Sequence, residues 1–297
     1  MTLGLDLSDS VARAVVVNEE GQVLARGEQA LSGTALTPAA VAAVRRASAG
    51  AGGKVARMAI AMPSPGDEAP SDLTASLSDA LPGIPIPSSV AAGVAAVVAE
   101  QWCGAARGLR DVVALSIGEH VTAGLMLGGL PWLGSHGLAG SLGWLALNPV
   151  EREDYRRLGG LEAEISAPGI VRRIVWRIKS GDESVVVSQV GGDLTRLTAA
   201  HVFQVARTGD GVCVSVIRDT ARYIGMALSN VAATIDPQAI VLGGMIAASG
   251  DMLLESIRFE CGRRLRPTQA ERLRVVLSPL GGDAAAIGAA RLAASAA

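Results

Sequence analysis

The sequence predicts an α/β protein of two lobes, on three observations. A strand-turn-strand-turn-strand pattern occurs twice, near residue 3 and again near residue 112. After each, helical and strand patterns alternate, as in folds that pack helices on sheets. The composition is 49% apolar but only 3% aromatic, so the core is built from Ala, Val, Leu and Ile. Small aliphatic residues suit close helix-on-sheet layers.

Each element has a local reason. Residues 3–7 read as a short buried strand, Ser8-Asp9-Ser10 as a turn and 11–17 as a second strand. Asn18-Glu19-Glu20-Gly21 is a hairpin turn before a third strand at 22–28. Residues 37–49 form a helix with Pro38 in its first turn. The Ala/Gly-rich tract 47–53 reads as a surface loop, 57–62 as a strand, and 71–81 and 89–102 as helices. The meander then recurs: a strand at 112–117, a turn at 118–123, a strand at 124–127, a hairpin at Gly128-Gly129 and a strand at 130–133. Helices follow at 168–180, 198–208 and 211–233, the last with an apolar stripe through Val214, Ile217, Ala221, Ile224 and Leu228. The polar stretch 181–195 reads as a loop or edge hairpin. A strand at 239–242, a helix at 252–265, a strand at 274–278 and a helix at 284–294 complete the chain. The expected lobes are 1–107 plus 284–297, and 108–283.

Charge and composition narrow the function classes. A formal charge of -2 and a pI near 6.0 do not suit a nucleic-acid-binding surface. Cys103, Cys213 and Cys261 are odd in number and widely spaced, the pattern of reduced packing thiols. Asp6, Asp9 and Arg13 interrupt the first apolar stretch, and no segment is long and apolar enough to span a bilayer. The expectation is a cytoplasmic protein with no nucleic-acid or membrane partner.

The most informative loop is Ser116-Ile-Gly-Glu-His-Val-Thr-Ala-Gly124. A glycine-rich turn between strands cradles phosphate because backbone N–H groups converge and no Cβ intervenes. Glu119 puts a carboxylate at its tip. In the first meander, Asp9 does the same. Two like charges at about 4 Å cost on the order of 1 kcal/mol in water and about 4 in a partly screened site. His120 offsets this if protonated, but an exposed imidazole is expected to be neutral.

The stretch Tyr223-Ile-Gly-Met-Ala-Leu-Ser-Asn230 through Ile235-Asp-Pro-Gln-Ala-Ile-Val-Leu-Gly-Gly244, and the closing Gly281-Gly-Asp-Ala-Ala-Ala-Ile-Gly-Ala-Ala290, resemble motifs of the ROK family of repressors, open reading frames and sugar kinases. The resemblance covers essentially the whole chain. It implies the two-lobed actin-like ATPase, or ribonuclease H-like, sugar-kinase fold. Against the family's functional motifs, however, the chain departs repeatedly. Counting back from Glu100 puts Ala91-Ala92 where the pattern NDxNAAxLxE carries Asn and the base Asp, and no carboxylate lies between Asp79 and Glu100. The first phosphate turn, DxGGT, is Asp6-Leu-Ser8-Asp9-Ser10, and the second, GTGIGxG, is Gly118-Glu-His-Val-Thr122-Ala-Gly124. The sugar and zinc motif GEIGH is Gly140-Ser141-Leu-Gly-Trp144. The zinc segment CxCGxxGCxE aligns with 153–162 and keeps only its final carboxylate, Glu162, so zinc and any other metal are not expected.

The resemblance thus implies no catalytic residue, with Ala92 at the base position. Asp6, Ser8, Ser10, Gly118, Thr122, Gly243 and Gly244 are vestigial nucleotide-side positions. Ser141, Trp144 and Glu162 are vestigial sugar-side positions. Five of these positions have a structural alternative: Asp6 tying down its turn, Gly243-Gly244 making a strand-to-helix turn, Trp144 plugging the vacated zinc and sugar space, and Glu162 serving as a capping charge at a helix start. The leading expectation is a pseudokinase with a regulatory, ligand-sensing or scaffold role, no cofactor, a small sugar-like ligand and, by the family's habit, a homodimer. One alternative is an ATP- and Mg-dependent sugar kinase of glucokinase or N-acyl-hexosamine kinase type with an unrecognised base. Another is the effector-binding part of a ROK regulator, since the chain opens on the first strand and is expected to have no winged helix-turn-helix module. A further reading is a cleft retuned to a less polar ligand and lined by Trp144, Trp132 and His136.

Overall fold

A computed structural model describes residues 1–31, 34–85 and 88–295, and two five-stranded sheets organise them. In the first, β1 (Thr2–Asp6), β2 (Val11–Val17) and β3 (Val23–Ala30) form an antiparallel meander. Strands β4 (Arg57–Met62) and β5 (Ser88–Ala91) extend it in parallel from β1. In the second, β6 (Val112–Ile117), β7 (Val121–Leu127) and β8 (Leu130–Pro131) form the meander, and β9 (Ala239–Gly244) and β10 (Arg274–Leu277) extend it in parallel from β6. The orders 3-2-1-4-5 and 8-7-6-9-10 are one path traced twice. The sequence repeat is therefore a repeat of topology.

Helix α1 (Leu36–Gly50) covers the outer face of the first sheet, burying Ala39, Ala40, Ala43, Val44 and Ala47, and α2 (Ser71–Ala80) packs beside it. Helix α3 (Ala92–Cys103) follows β5 directly. After β8 come α4 (Glu153–Leu158), α5 (Gly160–Ile165), α6 (Ala167–Lys179), the single turn α7 (Val186–Gln189), α8 (Ala199–Ala206) and the long α9 (Gly211–Ile235). Asp210 starts α9 by accepting the Cys213 N–H at 2.9 Å, and Asp236 ends it in the left-handed region at φ 52°. Helices α10 (Met245–Ala248), α11 (Gly250–Gly262) and α12 (Pro267–Arg272) lie between β9 and β10, and α13 (Ala284–Ser295) follows.

Helices α3 and α13 pack on each other between the two sheets, α3 against β6 and β7 and α13 against β1 and β4. The approach is too close for larger side chains. A Cβ at Gly288 would lie 1.7 Å from the Ala95 carbonyl oxygen, and one at Gly4 1.8 Å from that of Ala286. This packing accounts for a core poor in aromatics. Glu100, buried in α3, accepts the Ala105 N–H at 2.8 Å and the Ser278 hydroxyl, tying the helix to the end of β10. The largest apolar cluster lies on the far face of the second sheet, where α9 buries Ile217, Ala221, Ile224 and Leu228. Val214 is only half-buried, and Val212 and Val216 take its expected place.

Several expected elements differ. The helix expected at 89–102 begins as β5, because Ser88–Ala91 pairs with Ala59–Met62, a long-range pairing that local helix propensity does not contain. The turn expected at 118–123 is only three residues, since Val121 already pairs with Ile117. Strand β8 stops at Pro131, which lacks an N–H for the ladder. The stretch 181–195 is neither plain loop nor hairpin: Val186 and Val190, four apart, are both buried by α7. The tract 47–53 is helical as far as Gly50. Helices α4, α5, α10 and α12 were not expected, being too short for their periodicity to register. The expected first lobe runs to 297, of which 296 and 297 lie outside the described residues.

Candidate functional site

The parallel strands β1, β4 and β5 of one sheet, and β6 and β9 of the other, run toward a common cleft at their C-terminal ends. This is where α/β sheets place ligands. The cleft divides into dissimilar parts.

In the narrowest part, the β1–β2 turn faces the β6–β7 turn. Asp6 is buried and accepts the Ser8 N–H at 2.9 Å. Burial pushes its carboxyl pKa up, while the Ser8 hydrogen bonds and the Arg13 charge pull the other way. Asp9 turns across the gap. Its Oδ1 accepts the Ser10 N–H at 2.8 Å and approaches the Glu119 N–H at 3.4 Å. A Cβ placed on Gly118 would meet the two Asp9 oxygens at 3.1 and 3.3 Å, so the carboxylate rests on the second turn. Arg13 donates to the Gly282 carbonyl at 2.7 Å and to Glu28 at 2.7 Å. The cavity left between these groups is about 40 Å³, room for a few water molecules.

Asp6, Ser8, Gly118, Thr122 and Gly244 do converge on that gap. Gly244 has φ 67°, and a Cβ there would lie 2.3 Å from the Ile117 carbonyl oxygen, so backbone packing by itself requires glycine here. Gly243 faces Ser116 within the sheet. Ser10 lies outside the gap and lines a cavity of about 420 Å³ with Phe203, Met245 and Ser249. Glu119 and Asp9 stand at the edge of that cavity too.

The third part opens to about 670 Å³ and is lined by Ala91, Gly93, His120, Ser141, Trp144, Arg157 and Glu162, among others. Ala92 contributes nothing to it, its methyl being fully buried at the start of α3. The Ser141 hydroxyl donates to the Leu138 carbonyl at 2.7 Å. Trp144, expected to plug vacated space, is instead 59% exposed at the rim, because the 3-10 turn Leu142–Trp144 buries Gly143 and turns the indole outward. Trp132 and His136 do not line this cleft.

Glu162 lies in the first turn of α5 but makes no cap hydrogen bond to it. Its Oε2 accepts the Val121 N–H at 3.0 Å and its Oε1 lies 3.2 Å from His120 Nδ1. The Glu162 hydrogen bond raises the His120 pKa above its ordinary value, against the smaller effect of partial burial. His120 lines both the narrow gap and the open cleft. Arg157 was passed over as well, and no sequence signal distinguishes it from the arginines around it.

The segment 153–162 folds as α4, the glycine Gly159 and α5. An ionic network holds it. Asp154 pairs with Arg152 at 2.8 Å and Arg172 at 3.0 Å. Glu164, 2% exposed, pairs with Arg152 at 3.1 Å and accepts the Tyr155 hydroxyl at 2.5 Å. Burial and that hydrogen bond push the Tyr155 pKa up. Arg173 approaches Glu164 at 3.8 Å and donates to Thr220.

Comparison with known proteins gives a consistent picture. The ROK family profile matches residues 2–296. A glucokinase of Halalkalibacterium halodurans is 31% identical over 198 residues, 65% of this chain but only 59% of that enzyme. The structure of a ROK family glucokinase from Streptomyces griseus, solved with glucose and AMPPNP, superposes with a TM-score of 0.81 at 26% identity, covering 99% of both chains. A ROK family transcriptional regulator, homologous to the Escherichia coli MLC protein, superposes at 0.79 with 22% identity, covering 99% of this chain and 77% of that one. The fold is the actin-like sugar-kinase fold.

Proposed function

The chain belongs to the ROK family, and from that premise we propose that it is a carbohydrate-binding pseudokinase, a sensor or scaffold without phosphoryl transfer. One observation carries this reading: the Asp9 carboxylate rests on Gly118 and Glu119, in the gap through which a triphosphate would have to pass. Phosphoryl transfer depends on a cradle that neutralises charge and on a positioned base. Here the cradle supplies two carboxylates, Asp9 and Glu119, and the base position is the buried methyl of Ala92. These residues do not fit a magnesium–triphosphate complex. Nor does the segment 153–162 fit zinc, since it offers no thiolate or imidazole; the ionic network around Asp154 and Glu164 holds it instead.

A kinase reading is favoured by one observation. The His120–Glu162 pair lies where the narrow gap meets the open cleft, and a carboxylate-oriented imidazole is a general-base arrangement. The effector-binding part of a regulator is the third reading, supported by the likeness to the MLC homologue. Titration calorimetry and a coupled ADP-release assay with Mg-ATP and a hexose panel separate them. The pseudokinase reading expects sugar binding without turnover; sugar-dependent ADP release would overturn it in favour of the kinase.

A further inference from the structure

We propose that the open cleft takes a hexose carrying an anionic substituent, with Arg157 receiving the charge. This rests on the reading of that cleft as a carbohydrate site and goes beyond it by naming the ligand's chemistry.

The electrostatics of α4 and its surroundings point this way. Arg152, Arg156, Arg172 and Arg173 each have a carboxylate within ion-pair distance: Asp154 and Glu164 for Arg152, Glu151 for Arg156, Asp154 for Arg172, and Glu164 for Arg173. Arg157 has none. It is exposed, lines the cleft, and makes no hydrogen bond or ion pair among the described residues. A guanidinium left without a partner in a concave site offers a planar fork that matches carboxylate or phosphate oxygens.

The remaining lining does not neutralise it. Among the described residues Glu162 is the one carboxylate lining this cleft, and both its oxygens are engaged, by His120 and by the Val121 N–H. It is therefore not available to turn toward Arg157 without breaking those bonds. Trp144 presents an exposed indole at the rim, a surface for the C–H face of a pyranose. A volume near 670 Å³ accommodates such a ring with its substituent. The two oxyanion sources, a hexuronate carboxylate and a hexose phosphate, share the chemistry that Arg157 recognises.

The test is titration calorimetry on the whole protein at low ionic strength with D-glucuronate, D-glucose 6-phosphate and D-glucose. At least one anionic sugar is expected to bind ten-fold or more tightly than glucose, and Arg157→Gln to bring its affinity down to that of glucose. Whichever anion gains more identifies the substituent. Equal affinity for all three in the unaltered protein would overturn the inference and leave the carbohydrate reading standing. A preference that survives Arg157→Gln would overturn the role of Arg157. No binding of any of the three would sink the carbohydrate reading itself, and this inference with it.

Discussion

The two ends of one cleft have diverged in opposite ways. At the narrow end, the Asp9 carboxylate lies against Gly118 on the facing turn, and about 40 Å³ remains. At the open end, groups are small or turned aside, Ser141 bonded to its own loop and Trp144 facing out, and about 670 Å³ remains. The narrow end combines the Asp9 carboxylate with little free volume. The open end keeps room, a cation and an aromatic face. The two ends meet at the β6–β7 turn, whose Gly118 faces the narrow gap and whose His120 lines both parts.

The comparison can be broken most forcefully through the wall of the open end. Glu164→Ala removes the buried counter-charge of Arg173 and Arg152, and breaking such a pair from one side costs about 3–5 kcal/mol. Chemical denaturation should show a clearly lower midpoint; an unchanged one would mean that the network does not hold α4 and α5. At the narrow end, Asp9→Gly with Glu119→Gly removes two like charges and frees the turn. Affinity for Mg-ATP should rise ten-fold or more, about 1.4 kcal/mol, by titration calorimetry. No rise would refute the electrostatic account of the closed end.

Smaller effects sharpen the contrast. Trp144→Ala should weaken carbohydrate binding by roughly two- to ten-fold, the range of about 0.5–1.5 kcal/mol for aromatic stacking, while leaving the denaturation midpoint in place. Glu162→Gln should lower the His120 pKa, read from its imidazole resonances by NMR. The sign follows from the raised folded value: the pair is fully formed below the unfolded pKa of about 6.5 and is lost as pH rises through the folded one. A His120 titration indifferent to Glu162→Gln would remove the pair from the site.

Much of this was legible in the chain. The doubled meander, the alternation that follows it and the absence of a carboxylate near Ala92 are properties of neighbouring residues, and the fold preserves them. The site was legible in part. Asp9 and Glu119 were visible as charges on turns, but the direction of the Asp9 carboxylate was not. The pairing of His120 with Glu162 was not visible because the two are 42 positions apart. Trp144 read as a plug because a large apolar side chain beside a lost metal motif suggests filling, whereas the local 3-10 turn directs it outward.

The sequence by itself determined the fold class, the repeat and which functional groups stand at each position, because periodicity and functional-group chemistry travel with each residue. Only the tertiary structure decided that the Asp9 carboxylate lies against Gly118, that Ser88–Ala91 is a strand, that Glu162 meets His120 and that the Arg157 side chain has no partner among the described residues. Each of those depends on which distant groups share a few ångströms, and packing and long-range pairing set such distances.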